Sequence, residues 1–327
     1  MTALAVFEGT ALACPGLNAS KDEFYRFSDN LTSWLPIKRD TWLKFFISEH
    51  TLSVLAETGT YPDRQSISNR LKSLNIIDVD IQDICDIVLT ILGKTPYLEE
   101  VTSLGNCSVS FCDFDNSVVG YTESKFEDQF KYVLLASLKA SLELSQGETF
   151  VVTHCAKSIR TNVKGSLNSD SGNIDLDGWL GICSELGQLE SLLCTTTFWM
   201  NADGNFHSDA LQIHCKQLDK RPNKEFGFGN DFLKSAISHG FTTQASKIKT
   251  LLKSLVETIC DENLGKTHGL RQNSSGNSPQ LTSGSFKAMR RDIDYEYHLH
   301  YWISGNVVEF ANLVVHNDMT IFPLSTR

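Results

Sequence analysis

The chain has little proline, seven residues among 327, and no extended tract of Pro, Gly or Ser. That excludes a polyproline stalk or a mainly disordered chain. It also lacks a long apolar run, and nothing approaches the roughly 18 uncharged residues needed to cross a bilayer. The opening Met1–Phe7 stretch is apolar, but it has no basic flank and Glu8 interrupts it. A secretory leader is therefore not expected, and the expected location is the cytoplasm. Positive charge is in deficit, with 29 Lys and Arg against 39 Asp and Glu, a net charge of −10. Such a balance opposes non-specific binding to a phosphate backbone, which needs a basic surface to release counterions. No Walker A loop, strand-linked G-x-G-x-x-G, G-x-S-x-G or H-E-x-x-H occurs, so no cofactor is specified.

Nine cysteines are present, an odd number without a single C-x-x-C pair. Most lie in apolar runs, among them Cys85, Cys155, Cys183, Cys194 and Cys215. They read as small buried hydrophobes of a reducing compartment rather than a disulfide framework or a zinc site.

Forty-one per cent of the residues are hydrophobic and 21% charged, which is ordinary globular composition. The spacing predicts helices through the first hundred residues. Ser20 and Glu23 have capping-box spacing before Phe24, Phe27 and Leu31. Asp40, Asp63 and Asp80 can cap further helices, the first carrying Trp42 to Ile47. After Gly105 the pattern becomes mixed. Val109 and Phe111 alternate with serines as in a strand, and Phe126, Phe130, Val133, Leu134 and Leu138 make one helical stripe. Thr149–Cys155, Phe198–Met200 and Ala210–Cys215 read as strands, Lys164–Asp177 as a polar loop, and Thr243–Cys260 as a long helix.

The expected architecture is α+β. It comprises a helical region over 1–105, an α+β region over 106–260 and a flexible linker or loop over 261–285. A terminal β-hairpin over 286–327 is expected to join the sheet of 106–260.

The hairpin carries the richest chemistry. Tyr295–Ile303 and Val307–His316 favour strands around Ser304-Gly305-Asn306. A three-residue loop would set His298 opposite Asn312 and His300 opposite Phe310. Strand alternation would bury Tyr297, Leu299, Leu313 and Val315 on one face and gather Glu296, His298 and His300 on the other. Two imidazoles beside a carboxylate suit acid–base chemistry near neutral pH, so these three are the candidate catalytic residues. Lys287, Arg290 and Arg291 form a local basic patch and are the candidate nucleic-acid contacts. Two His-Cys pairs, His154-Cys155 and His214-Cys215, offer weaker metal chemistry.

The segment from Arg290-Arg291-Asp292 through Val315-His316-Asn317-Asp318 resembles the close of RelE/ParE-type toxins, which end on a basic start, two alternating strands and a histidine. The resemblance implies ribonuclease activity at this hairpin. The family usually continues with basic residues, where Asn317-Asp318 stand here.

With no cofactor motif and an acidic surface, the favoured expectation is non-enzymatic. It is an interaction or assembly subunit of a bacterial multi-protein system, of the phage-defence or mobile-element kind. The alternative is a hydrolase, specifically a nuclease, working at the His298/His300 face. Another protein subunit is the expected partner, with nucleic acid a second through the basic patch, and no membrane. Mass measurement tests the cysteine reading: the intact mass should be the same with and without reductant, and an increase on reduction would reveal a bridge.

Overall fold

A computed structural model describes residues 3–325, apart from 35–41, 106, 116, 118, 120, 122–123, 145–147, 155–156, 171, 203–205 and 273–277. The predicted cap Asp40, Cys155 and the Asn273–Asn277 stretch lie outside the described residues. The fold is α+β, with two mixed sheets in two compact units, Met1–Cys194 and Thr195–Arg327. The boundary thus falls at 194/195 rather than at 105 or 260.

In the first unit, β1 (Ala3–Phe7) is followed by α1 (Gly9–Leu12) and α2 (Lys21–Ser33). Next come β2 (Leu43–Ile47), α3 (Glu49–Glu57), α4 (Arg64–Ser73), α5 (Ile81–Lys94) and α6 (Leu98–Val101). Then follow β3 (Ser108–Asp113), α7 (Ser124–Leu144), β4 (Glu148–Val152), β5 (Ile159–Ser169), β6 (Gly172–Cys183) and α8 (Leu186–Leu192). The sheet order is β2-β1-β4-β6-β5-β3. The first four strands are parallel, while β5 and β3 are antiparallel to their neighbours.

Local chemistry starts the helices where the sequence says. Ser20 Oγ accepts from Glu23 N and Glu23 Oε2 accepts from Ser20 N, the reciprocal cap. Asp63 and Asp80 cap α4 and α5 as one-way N-caps, by accepting from Ser66 N and Gln82 N. The run from Trp42 to Ile47, however, contributes a strand rather than a helix.

Every residue of β1 is buried. Leu4 and Val6 pack with Phe130, Val133, Leu134 and Leu138 of α7. On the opposite face, the Phe7 ring meets Trp34 at 5.4 Å and Phe45 at 5.5 Å. A parallel strand covered on both faces reads as a continuous apolar run, which is why Ala3–Phe7 carries no alternation. The polar 164–177 stretch is not a loop. It forms the paired arms of the long β5–β6 hairpin, whose partly exposed face tolerates Asn, Ser and Asp.

The second unit begins with α9 (Thr195–Asn201) and α10 (Phe206–Gln217), then β7 (Glu225–Phe228), α11 (Phe232–Ser238) and α12 (Ala245–Ile259). A 3-10 turn over Leu264–Lys266 leads to β8 (Thr267–Gly269), β9 (Thr282–Ser283), β10 (Phe286–Asp292), β11 (Tyr297–Ser304) and β12 (Val307–Val315). Strand order is β7-β12-β11-β10-β8, with β7 parallel to β12 and the other pairs antiparallel.

Several expectations are corrected here. Residues 198–200 and 210–215 are helical; His207, Ala210, Leu211 and Cys215 are all buried, at helical spacing. Part of 261–285 is built into the sheet as β8 and β9, and Leu270 is fully buried. The terminal hairpin pairs with β10 and β7, whereas β3–β6 belong to the other sheet.

The hairpin register also differs. Ser304 faces Val307, so the loop has two residues, and a bulge between His300 and Tyr301 shifts the pairing. His298 therefore faces Val314 and His300 faces Asn312. Tyr297, Leu299 and Leu313 are buried as expected, but Val315 is exposed at the strand end. Leu313→Ala should destabilise the chain by about 2–4 kcal/mol, as large-to-small changes at filled core positions do. Chemical denaturation of the variant checks this.

Candidate functional site

Two clusters in separate units bring chemistry-bearing side chains together, one predicted from the sequence and one not. In the second unit, strand alternation places Ala288, Arg290 and Asp292 of β10 beside Trp302, His300 and His298 of β11, in register. Asn312 of β12 completes the row opposite His300. His298 Nε2 lies 3.2 Å from Asp292 Oδ1, and its ring is 4.7 Å from that of His316. The carboxylate meeting His298 is thus Asp292. Glu296 is exposed in the turn before β11, where its carbonyl accepts from His316 N.

The histidine face is covered. Residues 318–325 run along it without regular secondary structure, held by side chains of the sheet. His300 Nδ1 donates to the Thr320 carbonyl at 2.8 Å, and a carbonyl can only accept, so the proton resides on Nδ1. Nε2 is buried, with no hydrogen-bond partner among the described residues. Burial pushes the His300 pKa down to about 4, partly offset by the Thr320 bond. Burial lowers that of His298 too, against the pull of Asp292. Both imidazoles are therefore neutral near pH 7.

The three basic candidates separate. Lys287 is exposed and Arg290 half-buried. Arg291 points from the other face of β10 into the interior. There Nη1 pairs with Glu257 Oε2 at 2.9 Å and Nη2 donates to the Glu262 carbonyl at 2.5 Å. Its guanidinium is fully buried, so its place is structural.

No protein-family model matches this chain, and no curated protein or solved structure does either.

The cluster missed by sequence reading lies in the first unit, where β1 and β4 end side by side. β1 leads away to β2 on one side of the sheet, and β4 adjoins β6 on the other. The crossover helix α2 and the helix α7 lie on opposite faces, so this is a topological switch point. Glu8 follows β1 directly and is fully buried. Its Oε2 accepts from Thr10 Oγ1 at 2.5 Å and Thr153 Oγ1 at 2.6 Å. The two hydroxyls are 2.8 Å apart, and His154 N donates to Thr10 Oγ1 at 3.0 Å. Glu8 Oε1 is buried without a hydrogen-bond partner among the described residues.

Burial raises the Glu8 pKa to about 7, against the lowering effect of the two threonine bonds. A carboxyl group poised near neutrality can both give and take a proton. The signal in sequence was the apolar run stopped by one acid, seen there only as an interruption.

The remaining expectations are placed as follows. His154 follows β4 and is exposed at this edge. His214 lies on helix α10, its Nδ1 3.0 Å from Thr195 Oγ1. Among the described residues no group of three or more His, Cys, Asp or Glu side chains has metal-binding geometry. Neither is any helix there long and apolar enough to cross a membrane. A separate cleft of about 630 Å³ in the first unit is lined by His50, Glu57, Cys107, Lys125 and Tyr132 among others.

Opposite pH responses follow from the two buried groups. Glu8 has its pKa raised by folding, so its contribution is fully present below pH 4.5 and is lost as the pH rises through 7. His300 has its pKa depressed, so its contribution is present above pH 6.5 and is lost as the pH falls toward 4. Glu8→Gln should therefore stabilise the chain at pH 8 by up to about 3 kcal/mol, at 1.36 kcal/mol per pKa unit, with little gain at pH 4.5. Denaturation curves of the variant and parent at both values measure this.

Proposed function

We propose that the chain is a non-enzymatic interaction or assembly subunit whose partner is another protein. The observation that carries this reading is the covered histidine face. Of the side chains singled out for catalysis, His300 is occupied in gripping a peptide backbone. Each of His300, Trp302, Glu309 and Asn312 bonds a main-chain group of the 320–325 stretch. An acidic surface of net charge −10 supports protein rather than nucleic-acid contacts.

A second reading, an enzyme of hydrolytic type, has the Glu8 cluster in its favour. A buried carboxyl with a pKa near 7 at the carboxyl edge of a parallel sheet is suited to a general base. The nuclease form of this reading has Arg290 beside His300, but residues 318–325 lie over that face.

Recovery of the native protein under mild conditions, followed by mass spectrometry, tests the proposal. A protein partner should co-purify in fixed stoichiometry and survive nuclease treatment. A chain recovered alone, whose hydrolase activity is lost in Glu8→Gln, would replace the assembly reading with the enzymatic one. Nuclease activity lost in His300→Ala would do the same for the histidine face.

A further inference from the structure

Residues 318–325 are held through their main chain by side chains of the sheet, with Ser325 Oγ also accepting from Asn230 N at 3.1 Å. The Thr320 carbonyl accepts from both His300 Nδ1, at 2.8 Å, and Asn312 Nδ2, at 3.0 Å. Asn312 Oδ1 accepts from Phe322 N at 3.0 Å, so one amide side chain grips the backbone at two points, as a neighbouring strand would. Trp302 Nε1 donates to the Phe322 carbonyl at 2.8 Å, and Glu309 Oε1 accepts from Ser325 N at 2.7 Å. All five bonds go to main-chain atoms.

Beneath them, Met319, Ile321, Phe322 and Leu324 pack on an apolar floor that includes Leu270, Ala288, Trp302 and Ala311. Pro323 fixes its own φ and biases Phe322 toward extended backbone, so the segment is pre-shaped for this bed. The four gripping residues are buried, although each carries a polar group. With the segment in place, each of these groups has a main-chain partner there. A groove of buried polar side chains over an apolar floor is built for an extended peptide.

We propose that this face is a peptide-binding groove whose partner in trans is an extended, uncharged, apolar segment of another protein, with residues 318–325 filling it in cis. The proposal rests on the assembly reading and specifies its contact. The cis segment leaves β12 through a tight turn in which Asn317 has φ +71° and Asp318 N bonds the Val315 carbonyl. Vacating the groove means hinging at that turn and giving up the five bonds and the apolar packing, which an incoming strand of the same kind would restore. Main-chain recognition provides affinity for any extended strand, and the floor selects apolar side chains.

The test uses the full-length chain with a protease site inserted after Asn317, cut in the folded state. The probe is a fluorescent synthetic peptide of sequence Asp318–Ser325. The cut chain should take up about one equivalent, whereas the uncut chain should take up less than a tenth of that. Asn312→Ala in the cut chain should weaken uptake about tenfold. As a second route, Phe322→Asp in the uncut chain should loosen the segment and admit the probe.

No uptake by either form while circular dichroism shows them folded would overturn the proposal. Unfolding of both would also overturn it, because the segment would then be part of the core. If the parent chain instead dimerises by exchanging residues 318–325, the occupant is a second copy, and the assignment to another protein fails. A native chain recovered without partners would sink the assembly reading while leaving peptide uptake intact, so the two failures are distinguishable.

Discussion

A polar group carried into the interior must find a partner there, and this demand ties together segments far apart in sequence. Arg291 shows it most fully. Its guanidinium is buried beneath β10 and is answered by the Glu257 carboxylate and by the carbonyls of Glu257 and Glu262. Those acceptors fix the end of α12 and the turn that follows it against the sheet. Glu257 is held in turn by Asn263 at 2.6 Å. Removing either charge would leave the other buried and alone, which costs far more than the pair contributes. On the opposite face of the same sheet, His300 and Asn312 make the same demand and the 318–325 backbone answers it.

The first unit meets the demand differently. Glu8 directly follows the wholly buried strand β1, and two threonine hydroxyls, one from α1 and one following β4, reach it. They satisfy one carboxyl oxygen and leave the other without a described partner, so burial prevails and the proton is retained to near neutrality. Gly9, the next residue, donates its N–H to Gln129 of α7, whose amide in turn donates to Thr51 of α3. The carboxyl edge is thus laced by neutral amides and hydroxyls rather than by charge. That lacing positions Glu8 without lowering its pKa through a cation.

How much of this was legible in the sequence depended on whether the signal was local. Helix starts were, because Ser20, Asp63 and Asp80 act within three residues of themselves. The α7 and α12 stripes were, because large apolar residues recur at helical spacing in both, although residues 132–138 and 254–259 are buried on every side. Strand β1 was not, since burial on both faces erases alternation. The β5–β6 hairpin was hidden by its polar face, and α10 by apolar residues that happen to alternate at Leu211, Ile213 and Cys215. For the candidate site, alternation in β11 correctly grouped His298 with His300. The partner carboxylate came from β10, and the bulge at His300/Tyr301 reset the register. Nothing local marks a bulge, and nothing in β11 announces a segment twenty residues later lying across it.

The way 318–325 is held divides the freedom to vary unevenly between the two sides of the contact. An apolar side chain in the segment can be exchanged for another apolar one without loss of any of the five bonds, because all five go to main-chain atoms. The receiving side has no such latitude: an indole, an imidazole and a carboxylate each supply one particular donor or acceptor, and an amide supplies one of each. Over generations the segment can drift while its bed stays fixed. A chain lineage built this way would keep His300, Trp302, Glu309 and Asn312 long after the residues they hold had become unrecognisable.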